Sequence, residues 1–208
     1  MEFSAAALKT VAAHAVGASE CIQMVKLSEG QSNRAFLLSF DNGEEVVARI
    51  PTPVAGPAYW NTASNVATMK LMHTLGIPIP KVLTWSSRAN TEVGCEYVIM
   101  ENAPGVPLLK VWDFMNTIDR GKVLAELVNI DKKLLSFEFS GYGSIFLEDD
   151  IIDGVRSLPI NSDPAFSSYR IGPSVVDDFW KGERLSMSLD RGPCKSTRVS
   201  SLMYQGRI

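Results

Sequence analysis

Apolar residues at Ala5, Leu8, Val11, Ala12, Ala15 and Val16 share one stripe of a helix, and Gly17 follows as its stop. Three strand-like runs come next, Ile22 to Leu27, Arg34 to Phe40 and Glu45 to Ile50. The segment Ser28 to Asn33, with Gly30 inside it, joins the first two. Asp41-Asn42-Gly43 joins the second and third, and Asn-Gly accepts the positive φ that a tight hairpin needs. Pro51, Pro53, Gly56 and Pro57 interrupt the pattern. A helix is predicted over Thr62 to Leu75, with Val66, Met69, Leu71 and Met72 as its apolar surface and Gly76 at its end. Two short strands follow, Val82 to Trp85 and Glu96 to Met100, and Pro104-Gly105 ends the second.

The period then changes. Val123, Leu127, Ile130, Leu134 and Phe137 keep helical spacing over Asp119 to Phe137, the longest amphipathic helix of the chain. Gly141 to Leu147 reads as a short hairpin, and the chain from Glu148 onward reads as irregular. Lys195 to Ile208 has no convincing period and is expected to fray. Five antiparallel strands with one inserted helix, followed by a helical region, make an α+β fold.

Composition narrows the function classes. An apolar fraction of 46% and a charged fraction of 21% are those of an ordinary globular chain. The net charge of −3 argues against a broad nucleic-acid surface, which needs clustered cations to displace counterions. No apolar run reaches membrane-spanning length. Met1 to Glu20 has no Arg and carries Glu2 and Glu20, so it reads as neither a secretory signal nor a mitochondrial presequence. Cys21, Cys95 and Cys194 are far apart and odd in number, which fits packing thiols in a reducing compartment. His14 and His73 stand in no metal-ligand or triad spacing.

Several blocks in order carry more specific information: LSEGQSNRAF, EEVVARIPTPVAGP, SNVATMKLM, IPIPKVLTWSS, VGCEYVIMENAPGVPL, IGPSVVDDFWKGER and LDRGPC. From about Ala7 to Cys194 the chain resembles the fungal phosphotransferase-enzyme family. That group is related to aminoglycoside phosphotransferases and includes proteins labelled as altered inheritance of mitochondria. The resemblance implies a protein-kinase-like fold. Residues 1–105 would form a small lobe with an N-terminal helix, 106–194 a connector and partial helical lobe, and 195–208 an irregular tail. It also implies ATP and magnesium as cofactors and phosphoryl transfer to a small-molecule acceptor that the sequence does not name. The expected compartment is cytoplasmic, with a mitochondrial one implied by the family label.

The same resemblance assigns roles to residues. Gly30 and Ser32 fall where a loop folds over phosphates, although Gln31 and Ser32 replace the family's second glycine and aromatic. Arg49 falls at the basic residue that pairs with the α- and β-phosphates. Val47 and Met100 would flank adenine, while the Glu101 carbonyl and the Ala103 N–H would pair with its edge. Asn65 stands where the family carries the glutamate that holds the basic residue. The His-Gly-Asp-type catalytic loop and the acidic metal-binding motif have no match, since no histidine follows His73. Asp149, Asp150, Asp177 and Asp178 are acidic pairs expected in solvated loops. The expectation is therefore of a catalytically incomplete chain, read as truncated before the catalytic loop, with a non-catalytic nucleotide- or partner-binding module as the alternative.

Overall fold

The computed structural model describes residues 2–52 and 54–195, so the expected tail falls almost wholly outside them. Helix α1 (Ala5–Val16) starts under the Ser4 hydroxyl, which accepts the Ala7 N–H at 3.2 Å. It ends at Gly17, whose φ of 66° lies in the left-handed region that closes helices. Strands β1 (Cys21–Glu29), β2 (Asn33–Phe40), β3 (Glu45–Pro51), β4 (Val82–Ser86) and β5 (Tyr97–Glu101) form one antiparallel sheet in the order β1-β2-β3-β5-β4. The β2–β3 turn contains the expected Asn42-Gly43, with Gly43 at φ 86°. The Asp41 carboxylate ties this turn back to the chain leaving α1 by accepting the Ser19 and Glu20 N–H groups.

One face of this sheet carries Leu38, Phe40, Val46, Ala48, Ile50 and Ile99, all buried, and α1 covers it with Leu8, Ala12 and Ala13. Helix α2 (Trp60–Thr74) lies on the other face, where Val66 packs against Val82, Val98 and Met100. Its remaining buried positions include Thr62, Ala63, Ser64 and Ala67. Such small side chains let a helix approach neighbours on more than one side.

The second neighbour departs from the sequence expectation. Gly141 to Leu147 is not a hairpin, and the chain after Glu148 is not wholly irregular. Strands β6 (Ser144–Leu147), β7 (Leu158–Pro159) and β8 (Tyr169–Gly172) make a three-stranded antiparallel sheet in the order β6-β8-β7. Local periodicity misses it because the strands are two to four residues long and β6 pairs with β8, beyond the intervening residues 148–168, rather than with its neighbour β7. Leu71 of α2 packs into this sheet against Ile160, Tyr169 and Ile171. Trp60 meets Phe146 edge-on at 5.4 Å. Gly143 permits the closure: a β-carbon there would lie 2.3 Å from the Gly172 carbonyl oxygen.

A one-turn helix α3 (Leu108–Val111) and a 3₁₀ turn lead to α4 (Thr117–Leu135). Asn116 caps α4 by accepting the Asp119 N–H at 2.9 Å. None of its residues is buried; Leu124, Leu127, Val128 and Leu135 are exposed. Arg120 holds its first turns to the preceding segment through the Trp112 carbonyl, and Lys133 donates to the Gly76 carbonyl at the end of α2. The three cysteines are free and buried.

The two helices are expected to differ in their weight in folding. Leu71→Ala should cost about 2–5 kcal/mol in urea unfolding, because it empties a fully buried site between α2 and the second sheet. Leu135→Ala, 85% exposed, should stay within about 0.5 kcal/mol of the parent.

Candidate functional site

The sheet register decides which candidate residues share a surface. In an antiparallel pair, residues opposite one another point to the same face. Val47 lies opposite Leu37 and Met100, and Arg49 lies opposite Ala35 and Val98. Val25 lies opposite Leu37. The face turned away from α1 therefore carries Val25, Ala35, Leu37, Val47 and Met100 as an apolar strip, with Arg49 at one side of it. Ala35, Leu37 and Val25 were not singled out from the sequence. Strict alternation from the Asn42-Gly43 hairpin would have placed Ala35 and Leu37 beside Arg49 and Val47; Val25 needs the β1 register, which shifts twice and is not visible locally.

Gly30 and Ser32 sit in the β1–β2 turn. The Gly30 N–H donates to the Asn33 carbonyl at 2.9 Å and so is occupied within the turn. A β-carbon at Gly30 would find only the Asn33 oxygen at 3.8 Å, so neither crowding nor a positive φ demands glycine there. The turn is moored to the chain leaving β3, because the Thr52 N–H donates to the Ser32 carbonyl and the Thr52 hydroxyl to the Gln31 carbonyl. Asn33 pairs with Pro51, two residues beyond Arg49, about 7 Å along the strand. On the other side Glu101 pairs with Val46, three residues before Arg49 and about 10 Å away. Arg49 thus stands between the turn and the strand exit.

Glu101 opposes Val46, which puts its side chain on the α1 face of the sheet, where its carboxylate accepts the Lys81 N–H at 3.0 Å. Beyond it the chain is exposed, and among the described residues no hydrogen bond within the protein engages the Ala103 backbone. Glu45 lies on the same face as Arg49, four residues away, and its carboxylate is engaged by Ser39 and Asn102.

Arg49 is the electrostatic feature of this face. Its Nε is buried and has no hydrogen-bond partner. Burial pushes its guanidinium below the ordinary value, with no carboxylate acting against that. Asn65 turns back on its own helix and donates to the Asn61 carbonyl at 2.7 Å. A desolvated cation without a carboxylate suits an anion arriving from outside, and phosphate oxygens fit that need. Magnesium does not fit in the same way. Among the described residues no three His, Cys, Asp or Glu side chains gather to hold a metal ion, and Glu45 lies at the far end of the strand.

The acidic pairs are not simply solvated loop residues. Asp177 sits against the Gly56 loop and Asn61 and pairs with Lys181 at 2.6 Å. Asp150 is half-buried beside the start of α2. The Tyr59 hydroxyl donates to its carbonyl at 2.7 Å, the Tyr59 N–H donates to Glu96, and the Arg88 guanidinium stacks on the Tyr59 ring. Desolvation, then Asp149, raises the Asp150 carboxyl above its ordinary value, although Lys70 and Arg88 pull it down. Lys70 itself lies 3.7 Å over the Trp85 ring, and burial lowers it.

Comparison with known proteins agrees with the blocks quoted above. The family model described as "Phosphotransferase enzyme family" matches residues 23–152. A subtelomeric hrmA-associated cluster protein of Aspergillus fumigatus is 37% identical over 185 residues, 88% of this chain and 35% of that protein. A protein of Candida tropicalis named altered inheritance of mitochondria protein 9, mitochondrial, is 29% identical over 86% of this chain and 32% of its own. The chain thus spans about a third of the length of these curated relatives. Among solved structures, an aminoglycoside phosphotransferase with GDP and kanamycin aligns over 64% of this chain and 42% of its own, with 17% identity and a TM-score of 0.47.

The raised Asp150 carboxyl has a pH consequence. The folded chain holds this proton more tightly than the unfolded one, so the group favours folding below its ordinary value of 3.8. That contribution is lost as pH rises through the window between 3.8 and the raised value. Asp150→Asn should therefore gain stability relative to the parent from pH 4 to pH 7, as measured by urea unfolding at both.

Proposed function

The chain belongs to the phosphotransferase enzyme family, and on that footing we propose that its five-stranded sheet is the nucleotide-holding part of an ATP-using phosphotransferase. The observation that carries this reading is Arg49: a half-buried cation whose buried Nε has no partner and which no carboxylate pairs with, flanked by an apolar strip on one sheet face. Adenine would lie along Val47 and Met100 and meet the exposed backbone from Glu101 to Ala103. The phosphates would reach Arg49 and the turn at Gly30 to Ser32, where the Ser32 hydroxyl and the Gln31 and Ser32 N–H groups supply donors. Leaving a buried donor unmatched costs about 1–3 kcal/mol, and a phosphate oxygen at Arg49 would recover part of that.

In this reading the 208 residues bind nucleotide weakly and do not transfer its phosphate at an enzymatic rate. Asn65 gives Arg49 no counter-charge, no metal-binding cluster is present among the described residues, and no His-Gly-Asp sequence occurs in this stretch. A positioned base alone contributes about 10²–10⁴-fold to such reactions. The acceptor would be a small molecule, with the residues 106–194 contributing to a partial second lobe. The expected compartment is the cytoplasm, with a mitochondrial one suggested by the names of the relatives. Among the described residues no helix is long and apolar enough to cross a membrane.

Calorimetry with ATP, with and without magnesium, tests the reading. Binding in the micromolar to millimolar range is expected, and Arg49→Ala should weaken it at least about tenfold, or ~1.4 kcal/mol. Affinity unchanged by Arg49→Ala would refute the site. Steady phosphate release abolished by Arg49→Ala would show that this stretch is catalytic after all.

A further inference from the structure

The blocks IGPSVVDDFWKGER and LDRGPC take no part in the nucleotide face, yet they build a cavity of their own. About 430 Å³ in volume, it opens between Trp60 at the start of α2 and the segments around Trp180 and Leu189. Both indoles are fixed. Trp60 is held edge-on by Tyr59 at 5.3 Å and by Phe146 at 5.4 Å. Trp180 donates its ring N–H to the Ser174 carbonyl at 2.7 Å, and the Arg191 guanidinium stacks on its ring at 4.2 Å. Such walls lose little freedom when a flat ligand enters.

Three charges line the same cavity, and they do not cancel. Asp190 accepts from Arg156 at 2.6 Å and from the Gly192 N–H at 2.9 Å, so its carboxylate is already engaged. Arg191 is satisfied by neutral carbonyls only, donating to Phe179, Arg184 and Met187. These bonds aim its guanidinium without neutralising it. The wall therefore keeps one net positive charge beside two indoles and Leu189.

We infer that the cavity between Trp60 and Trp180 is a binding site for a planar, largely apolar organic anion whose acidic group meets Arg191. The flat body packs against Trp60, Trp180 and Leu189. The acidic group takes guanidinium hydrogen bonds that the carbonyls leave unused, in the planar geometry that arginine offers to carboxylates. Arg156 supports the site by keeping Asp190 neutralised. This inference does not depend on nucleotide binding at Arg49, which lies on a different surface.

The chain has four tryptophans, which gives a direct readout. Indole-3-acetate is titrated into ¹⁵N-labelled protein without nucleotide, with tryptamine as the cationic counterpart. Trp60 and Trp180 report on the cavity, while Trp85 and Trp112 lie elsewhere and serve as internal controls. Saturable shifts of the Trp60 and Trp180 ring N–H signals are expected with indole-3-acetate and not with tryptamine. Arg191→Gln should weaken the binding at least about tenfold. Should that variant lose its folded spectrum, Arg156→Ala decides, because the exposed Arg156 is dispensable for packing and its loss frees the Asp190 charge to repel the anion. Equal response to tryptamine, no saturation at millimolar concentration, shifts shared with Trp85 and Trp112, or unchanged affinity in Arg156→Ala would each overturn the assignment.

Discussion

The burial of α2 between two sheets is the constraint on which the rest of the structure depends. Val66 reaches the five-stranded sheet and Leu71 the three-stranded one, and both are fully buried. A helix packed between two partners buries small residues beside its anchors, as Thr62, Ala63, Ser64 and Ala67 do here. Its position fixes everything around its start: the Gly56 loop leading from β3, the Tyr59 backbone at φ 67°, and the Trp60 ring over Phe146. By contrast α4, longer and better capped, has no fully buried residue.

What the sequence revealed follows the range of the forces involved. The first sheet was legible because β2 and β3 are joined by Asn42-Gly43 and alternate cleanly, so local turn chemistry and period 2 agree. The N-terminal helix was legible through Gly17. The second sheet was not, because β7 is two residues long and β6 meets its partner β8 only after a 3₁₀ turn, loops and the β7 segment. Those pairings are specified by Leu71, Ile160, Tyr169 and Ile171 meeting in space, and no local window contains them. Close approach also hides in the sequence: Gly143 reads as an ordinary turn glycine until the Gly172 carbonyl is seen to occupy the place of its side chain.

The candidate site shows the same division. Arg49, Val47 and Met100 were singled out by resemblance, and the register places them on one sheet face. The resemblance does not reveal that the Gly30 N–H is already bonded within its own turn, to the Asn33 carbonyl. Nor does it reveal where Asn65 goes. An amide four residues after Asn61 on a helix can reach the Asn61 carbonyl, and it does so at 2.7 Å. The Asn65 side chain is thus engaged along α2 itself.

This arrangement gives the two sides of α2 a common logic. On one side Arg49 is desolvated and unpaired by any carboxylate. On the other Arg191 is held by carbonyls while Asp190 is consumed by Arg156. An ion pair within the fold would have neutralised either cation and left less uncompensated charge for an anionic ligand to meet. Neutral acceptors orient a guanidinium without that cancellation. Among the described residues, neither Arg49 nor Arg191 is paired with a carboxylate. The edge-on contact of Trp60 with Phe146 holds the start of α2 to the second sheet, so the wall that Trp60 gives the cavity is set by the packing of α2 rather than by the loops that line the rest of it.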